Sequence, residues 1–444
     1  MGDKAVVAKF DQRHASSDGG AILLQACDRR VGLTAALIGG IEDRRQCGKI
    51  RHAIGDLLRQ RLYAIACGYP DGNDASRLAA DPIQKLLGGR DPVGDEDLAS
   101  QPTLSRFENA VRRADLYRMG IALADAVIER HRRRLKRKVK RITIDLDPTD
   151  DPTHARSSSR SSTATTTAGA ICRWPGSSPS TTSPSNTCSP TCCVPAISLP
   201  RSVRSGSCRG CCRGCAPRSR GRGCGCDSMA VTPRPRSSRS SSARHSSTWW
   251  RWPKTQVLKR RAARLMGSAR RLSRESGQTA HLYGECRYAA GTWSERRRVI
   301  IKAEVVRHPG REPKDNPRFV VTNLKHSPRH LYEAIYCARG DVENRIKELH
   351  HGLEIDRTSC TRFLANQLRG LLTAAAYVLY QELRLRVARA VFRSAQVSTR
   401  REQLCKLGAW VESSVRRIVL HLPASCLHRH DWQIIARQLG AAPA

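Results

Sequence analysis

Residues 155–256 cannot fold by burying a core of the usual kind. These 102 positions contain no Phe, Tyr or Glu, one Leu (Leu199) and one acidic residue (Asp227), against 15 Arg, one Lys and 10 of the chain's 18 Cys. A stretch so poor in large apolar side chains cannot offset the conformational entropy of ordering itself. It is expected to be disordered. The sequence on either side is ordinary, rich in Leu, Val, Ile, Glu and Lys. Two explanations fit the contrast: a specialised Arg/Ser/Cys segment, or a normal gene read in the wrong frame.

Codon logic separates them. Met and Trp have single codons, so they anchor a back-translation in which each new codon takes the third base of one residue and the first two of the next. Trp249–Gln256 then reads Val-Ala, a position open to Met, Ala, and a run compatible with Lys-Asn-Pro. Ser228–Thr232 permits Asp-Gly-Gly-Tyr, whose first Gly is forced because the G of the Met229 codon precedes the GC of an Ala codon. The segment is therefore read as frameshifted, opened just after His154 and closed just before Val257.

The formal charge is +39 over 444 residues; the segment supplies +15, so +24 remains without it. That balance favours a polyanionic partner, nucleic acid before membrane surface. The length suits roughly two or three domains. Met-Gly-Asp-Lys lacks the apolar core of a secretory signal, and Val6 breaks the myristoylation pattern. The longest apolar run, Leu371–Tyr380, is too short to span a bilayer. The expected location is cytoplasmic and nucleoid-associated, with no membrane partner. Cys208, Cys211, Cys212 and Cys215, followed by Cys224 and Cys226, have thiolate zinc-site spacing, but the frame argument weighs against zinc. The other eight cysteines, among them Cys27, Cys67, Cys337 and Cys360, read as buried thiols in a reducing compartment.

Residues 1–139 read as helical. Ile54, Leu57, Leu58, Leu62 and Ile65 recur at helical spacing before the stop at Tyr69-Pro70-Asp71-Gly72. A second helix starts near Ser100-Gln101-Pro102 and leads into the basic run Arg130–Arg141, which is either a solvated helix end or a phosphate-contacting surface. The period then changes. Ile142, Ile144 and Leu146 alternate with Thr143, Asp145 and Asp147 in a strand closed by Pro148, so both aspartates share a face. Beyond the segment, strands are expected at Arg298–Val306 and Arg318–Leu324, and helices at Leu331–Leu349 and Phe363–Val387. A mostly helical basic tail follows from 396 to 444.

Two acidic clusters carry candidate chemistry. Asp145-Leu146-Asp147-Pro148-Thr149-Asp150-Asp151 is either a charged turn or a hard-cation site, since Mg²⁺ prefers oxygen ligands. In the second, helical geometry places Arg339, Glu343 and His350 at about 300°, 340° and 320° from Tyr336, all on one face. Gly340 inside that helix costs about 1 kcal/mol relative to Ala, which argues against selection for stability alone.

Tyr336-x2-Arg339-x3-Glu343 resembles the Tyr-Arg-Glu-Lys signature of DDE (Asp-Asp-Glu) transposases from bacterial insertion sequences. Asp147-Pro148-Thr149 resembles that family's first aspartate motif, and the shifted-frame Asp-Gly-Gly-Tyr its second. The resemblance implies an RNase H-like α/β fold, a mixed sheet with helices, preceded by an all-α domain. The implied layout is 1–139 for DNA binding, 140–154 and 257–395 for the two parts of the catalytic domain, 155–256 for the interruption, and 396–444 for the tail. It further implies that Asp147, with Asp145 as the alternative, and Glu343 are catalytic and hold two Mg²⁺ ions. Tyr336, Arg339, Arg345, Lys347 and His350 would contact DNA; His350 stands where the family usually has Lys. The implied partners are double-stranded DNA of terminal inverted repeats and target, with a homodimer as one assembly. The second aspartate is lost from the translated frame, so this copy is expected to be inactive. The rival expectation is a non-catalytic DNA-binding protein or inhibitor that occupies transposon ends.

Overall fold

A helix whose buried residues run round nearly its whole circumference lies at the centre of its surroundings, and Phe363–Arg386 is such a helix. The computed structural model describes residues 5–134, 143–151, 165–173, 191–196, 225–228 and 249–440, apart from 292, 294, 338, 339, 358, 388 and 389. In chain order the principal helices are α1 (Ile22–Val31), α2 (Leu33–Ile38), α3 (Ile54–Ala66), α4 (Pro82–Gly88), α5 (Gln101–Ala110), α6 (Arg113–Arg134), α7 (Gln256–Ser276), α8 (Gly340–Lys347), α9 (Phe363–Arg386) and α10 (Arg429–Gln438). The strands are β1 (Ala15–Ser16), β2 (Thr143–Asp151), β3 (Thr165–Arg173), β4 (Thr191–Ala196), β5 (Gly225–Ser228), β6 (Trp249–Trp252), β7 (Ala280–Tyr288), β8 (Arg297–His308), β9 (Arg311–Asp315), β10 (Arg318–Thr322), β11 (Ala409–Ser413) and β12 (Ile418–His421).

The chain forms two compact units, each discontinuous in sequence. One joins Met1–Arg130, Asp151–Thr165 and Lys347–Ala444; the other joins His131–Asp150 and Thr166–Ile346. In the first unit α9 packs against α3, α1 and α5, and the Tyr380 hydroxyl donates to the Ala66 carbonyl at 2.8 Å. The expected apolar stripe of α9 is present, but Ala365, Leu372, Ala374, Tyr377 and Val378 are buried as well, because neighbours surround it. Gly20 leaves no room for a Cβ against the Leu404 carbonyl, so the start and end of the chain approach closely. There β1, β11 and β12 form a three-stranded antiparallel sheet. The last 49 residues, expected as a helical tail, thus contribute two strands as well as α10.

Polar burial fixes the arrangement. Arg61, fully buried, donates to Glu108 at 2.5 Å and to the carbonyls of Tyr69, Pro70 and Asp71 at 3.2, 2.6 and 3.1 Å. Arg369 of α9 reaches the same Pro70 carbonyl at 3.0 Å. The carbonyls at the turn after α3 are thereby satisfied although water is excluded. Elsewhere Glu382 accepts from Arg130 and, at 2.6 Å, from Arg386.

In the second unit β6-β10-β8-β7 form an antiparallel sheet with β9 on β8. The strands expected at Arg298–Val306 and Arg318–Leu324 are β8 and β10, and the intervening loop contains β9. Alternation along β8 gives the sheet two faces. Val299, Ile301, Ala303 and Val305 meet Leu258, Ala262, Met266 and Ala269 of α7, whereas Ile300 meets Val320, Leu324, Leu331 and Tyr332 on the other side. A second, mixed sheet has the order β4-β3-β2-β5, with β2 and β5 parallel.

The sequence expectations need two corrections here, to the end of β2 and to the burial of the cysteines. Strands β3 to β6 lie within 155–256, and most of the rest of that segment lies outside the described residues. Trp252 is buried, its ring 4.5 Å from Trp293. Strand β2 continues through Pro148, which lies past the four residues paired to β5 and so removes no bond from that ladder. Of the eight cysteines read as buried, Cys27, Cys67 and Cys405 are, while Cys47 and Cys337 are exposed. Cys208, Cys211, Cys212, Cys215 and Cys224 lie outside the described residues. No helix among the described residues is long and apolar enough to cross a membrane.

Two outcomes follow. Arg61→Leu leaves buried Glu108 with only the longer 3.9 Å ion pair to Arg369 and is expected to destabilise the first unit by about 3 kcal/mol in chemical denaturation. For Glu382, burial raises the carboxyl pKa, but Arg130 and Arg386 more than reverse this and the net shift is downward. A depressed carboxyl contributes stability that is present above its unfolded value, about 4.3, and lost as pH falls through the folded value. The denaturation midpoint should therefore decline below about pH 4.3, and less steeply in Glu382→Gln.

Candidate functional site

The candidate catalytic residues sit on two elements of the second unit, β2 and α8. Asp145 and Asp147 lie on β2, two positions apart as the alternation requires. Their side chains, like all of Arg339, lie outside the described residues. Parallel pairing sets Asp145 beside Asp227 of β5. The β2–β5 ladder thus holds Asp227, the one acidic residue of 155–256, on a strand. Strand β5 in turn contacts β6, the edge of the antiparallel sheet.

The segment expected as one helix over Leu331–Leu349 is divided. Ser327 accepts from the His330 amide at 3.4 Å to start a short turn, Pro328–His330. A π-helical stretch follows at Leu331–Tyr336, then α8, then a second π-helical stretch at Glu348–Gly352. π turns hold an extra residue, so side chains beyond them rotate off the line of an ideal α-helix. His350 lies within the second stretch, and the single-face placement based on 100° per residue does not carry over to it.

Each expected DNA-contact residue has a definite setting. Tyr336 is half-buried, its ring 5.0 Å from Tyr332, which packs on Ile300, Val320 and Leu324. Glu343 is exposed, Arg345 half-buried and Lys347 exposed. Lys347 and His350 fall in the first unit, where the half-buried His350 has Nδ1 3.5 Å from Asp356 Oδ2. Among the described residues, no group of three or more His, Cys, Asp or Glu is gathered as a metal site.

The structure also shows a polar array that sequence reading missed. On the face of β8 opposite α7, Lys302 Nζ lies 2.5 Å from Glu304 Oε1 and 5.4 Å from the Tyr332 ring centroid. Glu304 accepts from Asn316 at 2.8 Å. Its burial favours the neutral acid, but Lys302 and Asn316 outweigh that and hold the carboxyl below the usual range. Next to it, Glu333 accepts from Tyr283 at 3.2 Å and from Arg329 at 3.0 Å. Burial, then Glu333, pushes the Tyr283 phenol well up, so it stays a neutral donor. This array fixes the segment leading to α8 onto the sheet. The signal for it was available: Lys302 and Glu304 interrupt the apolar run of β8 at alternate positions.

Residues 1–165 and 232–443 match the family described as transposase DDE domain group 1. The chain belongs to that family. No curated protein matches the chain. The transposase family generally uses divalent metals and implies a DNA partner. The part of the transposase left unmatched, 166–231, falls wholly inside the compositionally aberrant segment.

Proposed function

We propose that this chain derives from an insertion-sequence transposase with an RNase H-like catalytic domain, and that residues 155–256 are read from a shifted frame. The family match over 1–165 and 232–443 carries the transposase reading. A mixed sheet containing β2 supports the fold, and the forced Gly at Met229-Ala230 supports the frame. Asp147, or Asp145 on the same face, and Glu343 supply the hard carboxylate donors that suit Mg²⁺. When bound, a pair of such ions polarises a phosphodiester and lowers the pKa of an attacking water.

The chain's own residues do the positioning. Tyr336, packed on Tyr332, anchors the segment that carries Arg339 and Glu343. Arg339, Arg345, Lys347 and His350 supply basic groups to DNA phosphates, with His350 standing where the family usually has Lys. Residues 1–139 bind the terminal inverted repeats of the element, and a homodimer brings two ends together. This copy is inactive, because the codon for the second aspartate is split between Ser228 and Met229. A second reading is favoured by one observation: Asp227 pairs beside Asp145, so it can replace the lost carboxylate.

One experiment tests all of this. The gene is expressed as it stands and with compensating single-base changes after codon 154 and before codon 257. Both products are assayed for Mg²⁺-dependent cleavage of the element's ends. The restored protein should cut, and its Glu343→Gln variant should lose at least about 10²-fold in rate, the equivalent of several kcal/mol of charge stabilisation. The unrestored chain should not cut. Cleavage by it that disappears in Asp227→Asn establishes the second reading, and no cleavage by the restored protein overturns the proposal.

A further inference from the structure

Helix α7 has an inner face fully accounted for by packing and an outer face that nothing in the fold explains. Leu258, Ala262, Met266, Ala269 and Ser273 are buried against the sheet. Taking Leu258 as zero, they cluster within about 80° of one another, centred near 40°. Arg260, Arg264 and Arg271 then fall near 200°, 240° and 220°, directly opposite and all exposed. Gly267 lies near 180°, between Arg264 and Arg271.

Neighbouring groups leave this stripe unbalanced. The helix carries seven basic residues and one acid, Glu275, at its C-terminal end. Arg270 is taken by Asp315 at 2.5 Å, and Arg261 by the Arg287 carbonyl. Arg260, Arg264 and Arg271 make no ion pair among the described residues. Near the start of α7, Lys254 has its ammonium pKa lowered by burial and then by Arg251, Arg318, Lys259 and Lys314, a mark of uncompensated positive potential. An ordinary solvated face mixes signs and avoids like charges four apart, such as Arg260 and Arg264.

Gly267 is the second, independent feature. Its φ is not in the left-handed region, and a Cβ there would meet nothing within 4 Å. Neither backbone conformation nor packing therefore requires glycine, which is among the poorest helix formers. A missing side chain at the middle of an arginine stripe does permit a close approach of another backbone.

We propose that the outer face of α7 docks the sugar-phosphate backbone of duplex DNA, with Arg260, Arg264 and Arg271 on successive phosphate contacts and Gly267 at the point of closest approach. The inference rests on the DNA-acting reading above and adds residues that reading does not use.

Binding of the full-length chain to a random-sequence duplex is followed by fluorescence anisotropy from 50 to 200 mM salt. Each phosphate contact contributes about 0.9 to the slope of log Kobs against log salt. The triple variant Arg260→Gln, Arg264→Gln, Arg271→Gln keeps good helix formers and should lower the slope magnitude by about 2.7. Gly267→Gln, which has open space and better helix propensity, should keep or raise Tm yet weaken binding several-fold. Wild-type binding with an unchanged slope in the triple variant and unchanged affinity in Gly267→Gln overturns the α7 surface alone. No duplex binding by the wild type at any salt overturns it together with the DNA-acting reading.

Discussion

The buried Arg61 guanidinium is the interaction on which the first unit depends. It links α3, the turn at Tyr69–Asp71 and Glu108 of α5, and Arg369 of α9 reaches the same Pro70 carbonyl. A guanidinium presents several donors in a fixed plane and can satisfy several carbonyls at once. Burial lowers the pKa of Arg61, partly countered by Glu108, but its charge has partners on three sides. The result is a specific fastening between residues nearly 300 positions apart, where apolar contact alone would allow sliding.

The second unit uses a different device. One long strand, β8, gives its odd-numbered residues to α7 and its even-numbered ones to the segment before α8. The apolar side fixes the helix, and the Lys302–Glu304 pair orients Tyr332 and, through it, Tyr336. The candidate Glu343 is thus placed by packing that begins some forty residues earlier in the chain.

Much of this was legible in the sequence. Helices α3 and α9 and strands β8 and β10 follow from period and punctuation, and β2 from the alternation that also puts Asp145 and Asp147 on one face. The division of Leu331–Leu349 by π turns was not, because an extra residue in a turn leaves no compositional mark. Neither was the return of α9 to the N-terminal helices: buried arginines and a turn carbonyl specify that contact, and hydrophobic period does not. The pairing of Asp227 beside Asp145 was not legible either, since it depends on backbone alone. The α7 stripe was missed for a simpler reason: its arginines alternate with a strong apolar pattern, and only burial separates the two faces.

The discontinuity of the first unit has a bearing on synthesis. Helices α1 and α3 emerge from the ribosome early, yet the helix that covers them begins only at Phe363. Until then their apolar sides stay wet. A product that stopped inside the arginine-rich stretch would therefore be a partner-less hydrophobic surface, ready for proteases, rather than a smaller working domain.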